Sequence, residues 1–351
     1  MVHNDITGNK RIEWIDTAKG FCILLVVLQH CAQFLQVSYP LQNFFLTFRM
    51  PLYFILSGLF FKTYEGFGGF TKRKVNKLLI PYTFFFIVTG ILIPVIVYHF
   101  SGYKIWFYSY YGFNGLRFIF SEQIICNPSI WFLYCLFVVN IIFYVIHIIC
   151  KNDLIILTLS LFIGAIGIGL SVFQINIPYF IDSALSATPF FCFGWWLRKK
   201  TNYLQNKSFS RLIGIKRIAY IIVSALLLIG IAFFIYKYNH GKLSIRSNSY
   251  GDVLGILEFY PYGILGTMLV LQISKTLGTI PIISYLGRYS IIVLCTHVYI
   301  LQFSSELLDN IQLKFRLPLL FLMTAIICLP IVHLFKKYLG HFTAQKNIIK
   351  I

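Results

Sequence analysis

Ten apolar stretches, at approximately 15–36, 44–61, 78–100, 128–149, 154–173, 180–197, 218–236, 253–274, 284–303 and 317–335, run through this chain. Each holds roughly 18–23 residues, and at about 1.5 Å of rise per residue a helix of that length crosses the hydrocarbon layer of a bilayer. Backbone in that layer must satisfy its own hydrogen bonds, so such runs fold as transmembrane helices. The expected fold is all-α, a polytopic membrane bundle of about ten transmembrane helices, with a single domain over residues 1–351. The longest stretches between runs, 101–127, 198–217 and 237–252, are too short for a separate catalytic domain, and no internal repeat is visible.

Charge then orients the bundle. A net charge of +19 in a soluble protein would suggest nucleic acid, but here 58% of residues are hydrophobic and only 12% charged. The basic residues cluster between apolar runs, where the positive-inside rule places them, so no nucleic-acid partner is expected. With both termini cytoplasmic, the inner segments collect Lys10, Arg11, Lys62, Lys72, Arg73, Lys74, Lys77, the run from Arg198 to Arg217, Lys336 and Lys337. The outer segments hold fewer: Lys104, Arg117, Lys237, Lys242, Arg246, Lys314 and Arg316. The expected location is a bacterial plasma membrane. The first span is expected to stay in the mature protein, because Asp16 and Lys19 interrupt its apolar onset and no small-x-small cleavage site follows. Of the cysteines only Cys126 belongs to an outer loop, and no pair has metal-ligand spacing, so neither a disulfide framework nor a metal site is expected.

The first span carries a polar stripe. Lys19 and His30 are 11 residues apart, about three turns plus 20°, so they share a helix face about 16 Å apart along the axis. Asp16 and Gln33 join that stripe, and the other faces are Ile, Leu and Val. Taken singly, Asp16 and Lys19 fit an interfacial ion pair at i,i+3, and His30 fits a buried, hydrogen-bonded histidine. Their alignment favours a functional face turned to the bundle interior or to water. Glu258, about a turn and a half inside the eighth run, is a second intramembrane ionisable group. Ser57-Gly58 reads as a small pair for close helix packing. Trp131 suits either an aromatic belt or a site. A multi-span transporter or proton-coupled exporter built on the same buried charges is the alternative, although it lacks the repeat such folds usually carry.

Five motifs in order resemble those of the membrane-bound acyltransferase 3 family. They are Trp14-Ile15-Asp16-Thr17-Ala18-Lys19-Gly20 with His30; Met50-Pro51-Leu52-Tyr53-Phe54-Ile55-Leu56-Ser57-Gly58; a basic loop, "TKRKVNKLLIPY", from Thr71 to Tyr82; Trp131-Phe132-Leu133; and Leu286-Gly287-Arg288-Tyr289-Ser290 with His297. The resemblance spans the chain and is nearest to the lysine-type branch of fucose 4-O-acetylase-like proteins, since many members have arginine where Lys19 stands. It implies transfer of an acyl group, usually acetyl from acetyl-CoA, to a hydroxyl of a carbohydrate or cell-envelope glycan. His30 is then the general base, Asp16 positions or tunes Lys19, and Lys19 meets donor phosphate or developing charge. Lys72, Arg73, Lys74 and Lys77 are the donor-binding candidates, although a basic cytoplasmic segment also follows from topology alone. Arg49, Trp131, Glu258 and His297 are the acceptor-side candidates. No permanently bound cofactor and no metal are implied, with acetyl-CoA as co-substrate. The acceptor's identity, the acyl chain and the oligomeric state are left open.

Overall fold

A computed structural model describes residues 11–39, 41–93, 127–201, 243–308 and 310–350, with isolated positions at 95, 96, 99 and 204 and between 218 and 230. The expected span 218–236, the end of the span 78–100, and Cys126 lie largely or wholly outside the described residues. The described residues form helices and no strand, with one isolated bridge between Ser244 and Ser249. In chain order the helices are α1 (Glu13–Phe34), α2 (Gln42–Leu59), α3 (Gly66–Leu92), α4 (Trp131–Ile149), α5 (Asp153–Val172), α6 (Ile181–Thr201), α7 (Val253–Leu277), α8 (Pro281–Arg288), α9 (Ser290–Glu306) and α10 (Leu313–Tyr338).

Six of these (α1, α3, α4, α5, α7 and α10) are long and apolar enough to cross a membrane, or up to seven spans if α8 and α9 count as one broken span. This is fewer than the ten expected. Helices α2 and α6 are 18 and 21 residues long but more polar. They can be so because much of their surface faces protein: Phe54, Ile55, Ala187, Phe190 and Phe191 are fully buried between them and their neighbours.

Two expectations are corrected. The basic segment is not a loop. It is the first part of α3, which runs from Gly66 through Lys74 and a π turn at Val75–Leu79 into Ile80–Ile87. Lysine and arginine are good helix formers, and no breaker separates them from the apolar run. The wider π turn lies just before Pro81, where a regular turn would press the proline ring onto the carbonyl four residues back. The other correction concerns the run 284–303, which is not one straight span: α8 and α9 meet at Tyr289 with a bend of 92°.

Close backbone contacts fix the centre. A Cβ on Gly20 would strike the Ile283 carbonyl, and one on Gly287 would strike the Asp16 carbonyl, so α1 and α8 cross with nothing but backbone between them. Gly58 faces the Phe191 carbonyl and Gly194 faces that of Ile55, which gives α2 and α6 the same kind of crossing. The Thr17 hydroxyl adds bonds to Ser284 and to the Gly278 carbonyl, both 2.7 Å. Small residues that let backbones touch supply packing energy in a membrane, where apolar burial between helices supplies little.

Candidate active site

Helix α2 places Arg49, Tyr53 and Ser57 at successive i+4 positions, which lie on one face over about 12 Å of rise. Helix α1 runs beside this face. The Cys22 thiol donates to the Arg49 carbonyl at 2.7 Å, and the Tyr53 hydroxyl donates to the Lys19 carbonyl at 3.0 Å. Ser290, at the start of α9, bonds to the same Tyr53 hydroxyl. Lys19 therefore stands level with Tyr53, and His30 lies three turns farther along α1.

His30 meets His297 of α9, with ring centroids 5.1 Å apart and planes tilted by 51°. His297 is fully buried. Its Nδ1 lies 2.8 Å from the Val293 carbonyl, to which only an N–H can bond, so its Nε2 is left as an acceptor facing the Ser129 hydroxyl at 3.4 Å. Ser129 belongs to the turn before α4, which is anchored by Asn127 donating to the Cys295 carbonyl at 2.8 Å. His30 makes no hydrogen bond to any described residue, so both of its ring nitrogens are unassigned.

Two arginines exert their charge on this pair. Arg49 acts electrostatically on both imidazoles, and Arg246, from the segment before α7, acts on His30. The Arg49 Nε and Nη1 atoms are sealed from solvent without a hydrogen-bond partner among the described residues. Burial lowers the pKa of Arg246 below the ordinary arginine value, and Ser183 bonds only to its backbone carbonyl, at 3.3 Å.

At the other end of α2, Ser57 lines a cavity of about 320 Å³ together with Tyr64, Arg73, Lys74, Lys77, Leu136 and Asn347. Arg73 pairs with Glu65 at 2.9 Å and lies over the Tyr64 ring, and Lys77 donates to the Ala344 carbonyl at 2.6 Å. The fully buried Asn76 clamps the C-terminal segment over this helix. Its Nδ2 donates to the carbonyls of Lys72 (3.1 Å) and Ile349 (2.9 Å), and its Oδ1 accepts from the amides of Ile348 and Ile349, both 2.9 Å. A larger, open recess of about 530 Å³ among Lys151, Asp153, Trp196 and Lys200 touches none of these groups.

A polar line thus joins a basic cavity to a histidine pair through the bundle, along helices that carry the five motifs. The family model described as an acyltransferase domain matches residues 12–335. The chain belongs to the acyltransferase 3 family. It is a membrane acyltransferase. No curated protein and no solved structure matches the chain.

Within this acyltransferase the residues singled out by sequence fall into groups. His30, His297 and Arg49 come together, while Arg73, Lys74 and Lys77 line the cavity. Lys72 is exposed and does not line it. Asp16 is buried, but its hydrogen bonds go to Arg11, at 2.6 and 3.0 Å, rather than to Lys19, which its charge alone reaches. The two-toothed guanidinium outcompetes a single ammonium for a carboxylate. Lys19 has no hydrogen-bonded side-chain partner among the described residues. Gln33, at the end of the stripe, is exposed. Trp131 is 5% exposed and packs on Phe132 and Phe180, so it is an interior side chain and not an aromatic belt. Glu258 bonds to Tyr262, one turn along α7.

Sequence reading passed over Tyr53, Ser129 and Arg246 as site residues. Tyr53 had a signal, since Arg49, Tyr53 and Ser57 repeat at intervals of four. Ser129 and Arg246 had none, because the fold brings each of them in from a connecting segment.

Proposed function

We propose that this enzyme transfers an acetyl group from acetyl-CoA to a hydroxyl of a carbohydrate or cell-envelope glycan, as in the lysine-type branch it resembles. The observation that carries this reading is the His30 imidazole, free of hydrogen bonds among the described residues, at the end of a polar line that starts in a basic cavity. Arg73, Lys74 and Lys77 hold the phosphates of the donor, and Lys and Arg are the side chains suited to them. The donor's thioester arm runs along α2, past Ser57 and the Tyr53–Lys19 level, toward the histidines.

His30 takes the proton of the acceptor hydroxyl as that oxygen attacks the thioester carbonyl. The carbon–sulfur bond breaks, and the CoA thiolate leaves and is reprotonated. The Arg49 guanidinium faces the negative charge that develops on the carbonyl oxygen, a group already in place with donors unused. His297, held by Val293 and Ser129, packs against His30 and limits its ring orientations. The basic end of the bundle faces the cytoplasm of a bacterial plasma membrane, with both termini on that side, and the histidine end faces the acceptor.

Purified protein incubated with radiolabelled acetyl-CoA and an envelope glycan extract should move label into the glycan. His30→Ala protein of normal fold should not. Normal label transfer by that variant would remove His30 from the mechanism.

A further inference from the structure

The segment after α10, residues 339–350, lies beyond the part of the chain that matches the acyltransferase family model, which ends at residue 335. It is nonetheless fixed against the basic start of α3. Lys77 donates to the Ala344 carbonyl at 2.6 Å, and Asn76 holds the amides of Ile348 and Ile349 and the Ile349 carbonyl. The Phe342 ring stacks on Phe84 of α3, with centroids 4.6 Å apart. Ala344 takes a left-handed backbone conformation, φ 63°, which is strained for a residue with a Cβ. Such strain persists only where the surroundings over-determine the backbone, so the contacts with α3 set the path of this segment.

Within this frame Asn347 is held by its backbone alone. Its carbonyl accepts from His341 Nδ1 at 3.2 Å, and the two residues that follow it are pinned by Asn76. Its carboxamide makes no hydrogen bond to a described residue. Asn347 is exposed, and it lines the cavity of about 320 Å³ together with Arg73, Lys74 and Lys77. The segment carries Lys346 and Lys350 on either side of it and no acidic residue, so nothing in the segment repels an anion. A carboxamide brings two N–H donors, and donors on a fixed backbone beside three cationic side chains suit phosphate oxygens.

We infer that Asn347 is a donor-binding residue: its carboxamide donates to a phosphate oxygen of the acyl-CoA, and residues 339–350 form a wall of the donor site that the matched domain does not supply. This rests on the acyl-transfer reading above, with the donor phosphates at Arg73, Lys74 and Lys77, and adds to it a contact from outside that domain.

The test is calorimetric titration of full-length protein in nanodiscs with free coenzyme A, for the unaltered chain and for Asn347→Ala, Asn347→Asp and Asn347→Gln. The residue is exposed and its side chain holds nothing in place, so these changes do not burden the fold. Asn347→Ala should raise Kd by about tenfold or more, the scale of a lost hydrogen bond to a charged group. Asn347→Asp should raise it further, because a carboxylate then faces phosphate, and that excess over Asn347→Ala should shrink as salt is added. Asn347→Gln should recover part of the loss. A Kd within about twofold of the unaltered chain in both Asn347→Ala and Asn347→Asp would overturn the inference while leaving donor binding at the basic helix standing. Equal losses in Asn347→Ala and Asn347→Asp, insensitive to salt, would also overturn it, since a merely structural role has no dependence on charge. No binding of coenzyme A by the unaltered chain, together with no acetyl label moved, would remove the acyl-transfer reading itself, and this inference with it.

Discussion

The two ends of the polar line differ in what their key side chains are held by. At the cavity end the framework groups are tied to protein, although among the described residues Arg73 Nε and Thr71 Oγ1 are left over: Asn76 makes four hydrogen bonds, Lys77 reaches Ala344, and Arg73 pairs with Glu65. At the histidine end the groups that matter are left open. Among the described residues His30 has no hydrogen bond, Arg49 has two sealed donors without a partner, and Asn127 keeps a buried Oδ1 unpaired. Satisfied groups hold a shape, whereas unsatisfied ones store a demand that a substrate meets on arrival. The contrast says where to look for binding scaffold and where for chemistry.

Substitutions should respect that division. The largest effect is expected at the open end, where His30→Ala should lower kcat by about 10²–10⁴-fold, the usual worth of a general base, with CoA binding by calorimetry unchanged. Lys19→Ala comes next. Its ammonium stands between the two ends, and losing one charge-assisted contact should raise the donor KM about ten- to a hundredfold, with Lys19→Arg milder. At the engaged end Asn76→Ala releases the C-terminal segment, so donor KM should rise several-fold and the segment around Asn347 should become open to limited proteolysis. The smallest effect belongs to Lys72, which is exposed and off the cavity: Lys72→Ala should change donor KM by no more than about twofold, as surface charges do. If Lys72→Ala matched Lys77→Ala, the basic helix would act by net charge and not through the cavity.

The stripe on α1 could be read from sequence because helix periodicity fixes the relative direction of Lys19 and His30 whatever surrounds them. The hydrogen-bond partner of Asp16 differs from the expected ion pair for a local reason. The i,i+3 rule pairs it with Lys19, but Arg11, just before the helix, curls back with two donors. The start of α3 was read as a loop because its lysines and arginine lower the local hydropathy, a measure of bilayer affinity and not of helix formation. The 92° break at Tyr289 left no trace in the run 284–303, which has no internal proline. It accompanies the seating of Gly287 on the α1 backbone, a contact between positions 271 residues apart from Asp16. Nothing local foretells that Arg246 acts on His30 or that Ser129 meets His297, since both arrive on connections whose course depends on the packed helices.

The crossings at Gly20–Gly287 and Gly58–Gly194 have a consequence for genetics. At a crossing made of backbone there is no side chain to delete, so an alanine scan, designed to subtract, instead adds a methyl group where a carbonyl already sits. Each of these four positions should therefore score as a null allele, as severe as His30, and two of them, Gly20 and Gly58, adjoin Lys19 and Ser57 in sequence and could be mistaken for catalytic. Protein abundance in the membrane separates the two classes: a glycine allele loses the enzyme, whereas a histidine allele keeps it and loses only its turnover.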